Sequence, residues 1–322
     1  MIVKKDLGIL TVLVILCLVL AAVNPNFLTA GNLQNLARLI GIYGIFSIGM
    51  GFVIITGGID LSIGSVFALL GVLLSILLTE WHVPAVLAVM IVTGLTTALG
   101  ALNGLLVTRF NIQPFIVTLC GLLFYRGLAR FIAGDETKGF GDGTHLAGLK
   151  DILTGSIVGI PTPFVLLIII AAAAWVLLHQ SVFGRYLFAV GQNETAARYA
   201  GLNAKRIITT AYVISGLLAG IAGILLAFYT NSVSPSTHGN FYELYGIAAA
   251  VLGGCSLRGG EGSILGILIG TALLQLLQNL VNLVGIPSSL NFAVMGGVIL
   301  LGVLADQLIK RWNYARMIRR AA

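Results

Sequence analysis

Ten apolar runs, joined by short polar segments, make up most of this chain. A helical run of about 20 residues is long enough to cross the roughly 30 Å of a membrane's hydrocarbon core. The first, third, sixth and eighth runs are short or broken by glycine. The runs lie at about 7–23, 36–56, 61–79, 85–107, 112–132, 163–179, 207–229, 243–258, 263–284 and 287–305. Because backbone groups in lipid must be hydrogen-bonded within their own segment, the runs predict an all-α polytopic membrane protein. We expect about ten transmembrane helices, some of them glycine-broken, in a single domain over 1–322.

The composition excludes an aqueous fold. Hydrophobic residues make up 58% of the chain and charged residues 9%, whereas a soluble domain has about 25% charged residues. So much apolar surface could not be kept from water in a soluble protein. Glycine occupies 41 of the 322 positions, nearly twice its usual share of about 7%. Since small residues let helices in lipid approach closely, we expect tightly packed helices within the bilayer.

The distribution of positive charge orients these helices. With Lys4 and Lys5 inside, ten crossings place both the N- and the C-terminus in the cytoplasm. The outer loops then keep only Arg38, Lys138 and Lys150. This asymmetry follows the positive-inside rule. The rule accounts for the net charge of +7, so we expect a lipid bilayer as the partner and no nucleic acid. The cytoplasmic side collects thirteen basic residues: Lys4, Lys5, Arg109, Arg185, Arg198, Lys205, Arg206, Arg258, Lys310, Arg311, Arg316, Arg319 and Arg320.

The first apolar run begins like a secretory signal peptide, with two lysines followed by an apolar stretch. The stretch is long for a signal peptide and no clean A-x-A cleavage site follows it. We therefore interpret the run as an uncleaved transmembrane helix, with a cleaved signal peptide as the alternative.

A polar segment at about 184–206 interrupts the apolar chain on the cytoplasmic side. Asn193 is a candidate N-cap, and Glu194 lies four residues before Arg198 on one helical face. Gly201 is a candidate C′ residue that ends the helix. The segment has no lipid in which to bury a face and is too short to be a domain. We interpret it as a short helix that receives force from another protein.

The sequence contains no pattern typical of an enzyme. The four histidines are scattered, and neither a G-x-S-x-G nor a G-x-x-x-x-G-K-[ST] motif is present. The spacing of the three cysteines indicates neither a metal site nor a disulfide. The outer loop at about 133–162 contains acidic residues without the alternation of a calcium loop, and we interpret it as solvated. No metal or cofactor is expected, and ATP hydrolysis, if it drives this protein, belongs to another chain.

Polar residues interrupt the apolar sequence between the second and third runs. Gly57 and Gly58 break the helix there, and Asp60 and Ser62 are candidate caps of the next helix. The alternative is that Asp60 belongs to a pathway or gate, because charges at membrane depth are unfavourable and are often functional.

A stripe of amides marks the ninth run. Its members recur at i, i+3, i+4 and i+7, so they share one face of a helix. That face must meet protein or water, and both interhelical hydrogen bonding and a hydrophilic path remain open. The members are Gln275, Gln278, Asn279 and Asn282.

Two further polar positions could either bond to neighbouring helices or line a hydrophilic path. Asn103 lies in the fourth run and could bond to a neighbouring helix or line a path. Arg126 lies deep in the fifth run and needs a partner or an aqueous vestibule, for which Glu243 at the outer start of the eighth run is a candidate.

Three motifs resemble those of a known family, the membrane permeases of ribose-type sugar ABC importers. The likeness covers nearly the whole chain, and the motifs occur in the family's order and spacing. They are Gly57-Gly58-Ile59-Asp60-Leu61-Ser62, Gly191-Gln192-Asn193-Glu194 with Ala197-Arg198 and Gly201, and Ala249-Ala250-Val251-Leu252-Gly253-Gly254 with Gly259-Gly260-Glu261-Gly262.

The resemblance implies a ten-helix permease of the bacterial inner membrane that imports a monosaccharide such as ribose. Its implied partners are a second permease copy or paralogue, two ATP-binding subunits and a periplasmic substrate-binding protein. The segment from Asn193 to Gly201 would be the coupling helix, which sits in a groove of the ATPase. A permease for branched-chain amino acids or nucleosides is the nearest alternative. An ion-coupled secondary transporter would need an ionisable midplane site, for which Asp60 is the one candidate carboxylate.

Overall fold

The computed structural model describes residues 2–141 and 144–287, with a few isolated positions beyond them. Almost all of this part is helical. The helices are α1 Ile2–Val23, α2 Ala30–Ile55, α3 Ile63–Ser75, α4 Ala85–Arg109, α5 Pro114–Ala133, α6 Thr144–Thr154, α7 Thr162–Trp175, α8 Val182–Gln192, α9 Glu194–Tyr199, α10 Ala204–Thr230, α11 Tyr242–Leu252 and α12 Ile264–Leu283. A 3-10 turn covers Pro25–Leu28, and π-helical turns extend α3 to Glu80 and α7 to Gln180.

Four two-residue strands lie in the connections between helices. β1, Lys138–Gly139, pairs antiparallel with β4, Ser232–Val233, and joins the loop after α5 to the loop after α10. β2, Ser156–Ile157, pairs antiparallel with β3, Ile160–Pro161, in a hairpin between α6 and α7.

Seven helices in the described part of the chain are long and apolar enough to cross a membrane. They are α2, α3 with its π-helical turn, α4, α5, α7 with its π-helical turn, α10 and α12. The apolar stretches Leu10–Val23 of α1 and Tyr242–Leu252 are shorter. The first nine apolar runs thus all form helices, and the tenth, 287–305, lies largely outside the described residues.

The eighth run differs from its prediction as a full span. It is helical only in α11, which has 11 residues and a length of about 16 Å at 1.5 Å per residue. The helix ends because the chain turns at Gly253 and Gly254, whose amides bond to Ala249 and Val251 carbonyls. The predicted span is therefore wrong in length, although the helix lies where it was expected.

The core of the bundle is formed by α2, α3 and α10, most of whose residues are buried, whereas α4, α5 and α7 bury one face each. Large apolar side chains on the outer faces remain exposed in the isolated chain, as expected of helices that contact lipid. α4 and α10 form the most extensive helix–helix contact: a Cβ on Gly100 would lie 3.0 Å from the Gly216 Cα and would collide with the Tyr212 carbonyl oxygen.

Candidate functional site

The break between α2 and α3 is held by the buried carboxylate of Asp60, which is 3% exposed. Its Oδ1 accepts hydrogen bonds from the Ser62 backbone N–H at 3.0 Å and from the Ser62 hydroxyl at 2.6 Å. Its Oδ2 accepts a longer bond from the Ser215 hydroxyl on α10, at 3.5 Å. The predicted cap is therefore wrong in detail. Ser62 occupies the N-cap position of α3 without a side-chain capping bond, and Asp60 stabilises the turn before it, because its short side chain reaches the amide two residues on.

The hydrogen bonds of this turn continue across the bundle. The Asn103 amide on α4 donates to the Ser62 hydroxyl at 3.0 Å, and the Tyr125 hydroxyl on α5 donates to the Asn103 Oδ1 at 3.1 Å. The Tyr212 hydroxyl on α10 donates to the Ile59 carbonyl at 3.2 Å. Asn103 thus joins helices in a buried network. The sequence analysis missed Tyr125 and Tyr212, although a tyrosine hydroxyl in an apolar run signals a polar partner.

Arg126 on α5 holds a segment that returns into the bundle between α10 and α11. Its Nη1 donates to the carbonyls of His238 at 2.7 Å and Pro235 at 3.2 Å. Its Nη2 donates to the carbonyl of Gly64, in the first turn of α3, at 3.2 Å. A single guanidinium therefore fixes the returning segment against α3.

Glu243 was one candidate partner of Arg126, and the two charges interact electrostatically without forming a salt bridge. Within the described residues, Arg126 forms no ion pair, because its donors are directed at three main-chain carbonyls. The Glu243 carboxylate instead lies against the backbone of Gly64 from the side of α11. Burial, with a smaller contribution from the charge of Arg126, lowers the pKa of His238 to about 4. His238 is therefore neutral at pH 7.

The polar segment forms the short helix that its sequence predicts. The Asn193 side chain accepts a hydrogen bond from the Ala196 backbone N–H at 2.9 Å, which caps α9. Glu194 and Arg198 form an ion pair at 2.5 Å on the exposed side of α9. The predicted N-cap and the predicted i,i+4 pair are both confirmed.

The end of α9 also follows the prediction. Gly201 has φ +85°, a left-handed conformation that favours glycine at C′. The N–H of Leu202 donates to the carbonyl of Ala197 at 3.0 Å, which closes the helix end as a Schellman motif. Ala197 is buried against the bundle, whereas Tyr199 is 89% exposed. The helix therefore has one anchored side and one free side.

The amide stripe on α12 divides into residues with different surroundings. Asn279 exchanges hydrogen bonds with Asn32 on α2 at 2.7 and 3.2 Å, which is an interhelical contact. Gln278 lies beside Tyr245 of α11, and Asn282 is exposed. Gln275 is 1% exposed, and neither polar atom of its amide has a hydrogen-bond partner among the described residues.

A bundle of membrane-length helices, with broken helices inside it and a capped polar helix between two spans, is typical of a polytopic membrane protein. Residues 32–303 match the permease family described as the permease component of a branched-chain amino acid transport system. The chain belongs to this permease family, and it is a multi-pass protein of the bacterial inner membrane.

Relatives of the chain match it over nearly their whole length. The ribose import permease protein RbsC of Bacillus subtilis is 40% identical over 305 residues, which are 95% of this chain and 94% of that protein. Its namesake in Escherichia coli K12 is 41% identical over 92% of both chains. The L-arabinose ABC transporter permease protein AraH of Azospirillum brasilense is 37% identical over 98% of this chain and 89% of that protein. No solved structure matches the chain.

Proposed function

We propose that this chain is the permease subunit of an ATP-driven, binding-protein-dependent importer of a monosaccharide such as ribose or a related sugar. The observation that carries the proposal is the near full-length similarity to permeases named for ribose and arabinose. The partners are two ATP-hydrolysing ABC subunits, a periplasmic substrate-binding protein and a second permease copy or paralogue. The family description, which names branched-chain amino acids, makes amino acids the second candidate substrate class.

The proposed topology has ten transmembrane crossings, with both termini in the cytoplasm. It is supported by the excess of lysine and arginine in the loops assigned to the inside. It places α8 and α9 in the cytoplasm, and the hairpin formed by β2 and β3 on the outer side.

In this topology α9 is the coupling helix that contacts an ABC subunit. Its caps at Asn193 and Gly201 make it a stiff unit, and its ion pair and Tyr199 lie on the exposed side. Exposed tyrosines are frequent anchors in protein interfaces. ATP hydrolysis then takes place on the ABC subunit, and the permease transmits the conformational change.

The proposed translocation path and gate involve the two broken regions of the bundle. Gly57, Gly58, Asp60 and Ser62 form one, and the segment fixed by Arg126 and followed by Glu243 forms the other. Asn103 connects the first region to α4 and α5. The α12 amides other than Asn279, which is paired with Asn32, are the proposed polar contacts for sugar hydroxyls, because an amide both donates and accepts hydrogen bonds.

The test of the function is uptake by the complete importer in proteoliposomes. We expect ATP-dependent uptake of a labelled monosaccharide from a panel of ribose, arabinose and allose, and none of leucine or uridine. Replacing Glu194 and Arg198 together with Ala should lower this uptake at least tenfold. The reason is that the exposed face of α9 loses its ion pair, while the helix caps remain.

The matched control replaces the exposed ion pair of Glu80 and Lys138, which lies on the opposite side of the membrane, and should leave uptake unchanged. Uptake of leucine without sugar uptake would refute the substrate class. Normal uptake by the Glu194 and Arg198 double variant, at normal membrane expression, would refute the coupling role of α9.

Accessibility of the α12 amides tests the path. In a background lacking the three native cysteines, we expect Gln278→Cys and Asn282→Cys to react with a small water-soluble thiol reagent, and Gln275→Cys to react only during turnover. Asn279→Cys should stay unreactive, because Asn279 packs against Asn32. If all four positions are unreactive in every state, and alanine there only lowers thermal stability, the stripe is helix packing.

A further inference from the structure

Three segments far apart in the sequence meet at one point of the fold through their backbones. The first is the end of α2 at Ile55, directly before the break. The second is Gly191, in the last turn of α8, just before the cap of α9. The third is Gly260, in the loop between α11 and α12. Each segment contains or directly precedes one of the glycine motifs on which the family resemblance depends.

The contact is direct and leaves no room for a side chain. The Gly260 N–H donates a hydrogen bond to the Ile55 carbonyl at 2.9 Å. A Cβ on Gly191 would collide with that same carbonyl oxygen and lie 2.6 Å from the Gly260 nitrogen. Gly191 is therefore packed onto the hydrogen bond that joins the end of α2 to the loop between α11 and α12.

A backbone contact of this kind transmits displacement differently from a contact between side chains. Side chains can change rotamer and absorb a small movement, whereas close-packed main-chain atoms resist it. When α8 and α9 move, the C-terminal end of α2 and the loop before α12 must move with them or lose the hydrogen bond between Ile55 and Gly260. One cytoplasmic helix is thus connected to two interruptions of the bundle.

We propose that Gly191 is the coupling contact, the point at which movement of α9 is passed to the break after α2 and to the loop between α11 and α12. This inference rests on the proposed function of α9. It assigns Gly191 a positioning role that the exposed residues of α9 do not have, since Gly191 faces the bundle and not the ABC subunit. Gly191 should therefore determine how much transport follows each ATP hydrolysed, and not how tightly the ABC subunit binds.

The test measures sugar uptake and ATP hydrolysis of the complete importer in proteoliposomes. We expect Gly191→Ala to keep hydrolysis within about twofold of the original chain and to lower the uptake per ATP at least tenfold. The matched control is Gly216→Ala, whose added methyl also collides with backbone, in this case the Thr96 carbonyl. Gly216 belongs to α10 and faces α4, away from the contact at Gly191. This variant should therefore keep the original ratio of uptake to hydrolysis. An unchanged ratio in Gly191→Ala would overturn the proposal.

Hydrogen exchange of the unmodified importer provides a second test, which can be carried out even if Gly191→Ala does not fold. Adding ATP should change the exchange rates of the peptides covering 55–62 and 253–262 together. In the double alanine variant of Glu194 and Arg198 both changes should be lost. No ATP-dependent change in 253–262 would overturn the proposed contact. If the double variant is uncoupled while Gly191→Ala transports normally, the coupling contact is wrong and the function of α9 stands.

Discussion

Replacing Arg126 with Ala should abolish transport and markedly destabilise the protein. The substitution removes three charge-assisted hydrogen bonds to the carbonyls of Gly64, Pro235 and His238. Hydrogen bonds to a charged group contribute about 1.5–3 kcal/mol each, so the loss of all three is roughly 4.5–9 kcal/mol. The midpoint of thermal unfolding of the purified protein in detergent should fall by roughly 10 °C or more, and uptake should fall at least tenfold.

The matched control is Arg130→Ala, one helical turn further along α5. Arg130 pairs with Asp135, and both side chains are more than half exposed, so this substitution should leave the midpoint unchanged. Arg126→Lys should be intermediate, because a compact ammonium group cannot reach three carbonyls as a planar guanidinium does. Equal midpoints for Arg126→Ala and Arg130→Ala would contradict the role assigned to Arg126.

Asp60→Leu should lower uptake at least tenfold, whereas Asp60→Asn should keep it within about threefold. Leucine leaves the Ser62 N–H and the hydroxyls of Ser62 and Ser215 without their acceptor, and each unsatisfied buried group costs about 1–3 kcal/mol. Asparagine keeps the Oδ1 acceptor for both groups of Ser62, and its NH₂ can donate to the Ser215 hydroxyl. The measurement is uptake at matched membrane expression, together with the midpoint of thermal unfolding.

Asp135→Leu is the control for the loss of an aspartate as such, because Asp135 is exposed and lies in the loop after α5. Equal, unchanged uptake by Asp60→Asn and Asp60→Leu would show that the turn before α3 does not depend on the carboxylate. A defect in Asp60→Asn as large as that in Asp60→Leu would show that the charge matters in itself, which the hydrogen-bond geometry does not predict.

The parts of this fold that depend on local sequence were predictable. Nine helices were located from the apolar runs, because a helix that crosses a membrane needs an apolar segment of about 20 residues. The short helix α9 was predicted with its N-cap, ion pair and C′ glycine, because Asn193 and Gly201 act on neighbours within a few residues. The eighth run was misjudged in length, since apolar composition continues through glycines at which the helix has already ended.

The contacts of the candidate site depend on distant residues and were not predictable in this way. Arg126 binds carbonyls of Pro235 and His238, more than 100 residues along the chain. Every residue has a main-chain carbonyl, so residue types do not show which carbonyls accept a hydrogen bond. By charge alone, Glu243 was therefore the natural candidate partner. Ser215 and Tyr125 reach Asp60 and Asn103 from separate helices, and only the packing of the bundle brings them together.

The contact between Gly100 and Gly216 has a mechanical consequence. No layer of side chains separates α4 from α10 there, so a displacement of one helix along the other meets direct steric resistance from main-chain atoms. These two helices form a fixed frame for the subunit. If the opening alternates between the two sides of the membrane, we expect the end of α2, the segment before α11 and the loop before α12 to move relative to this frame.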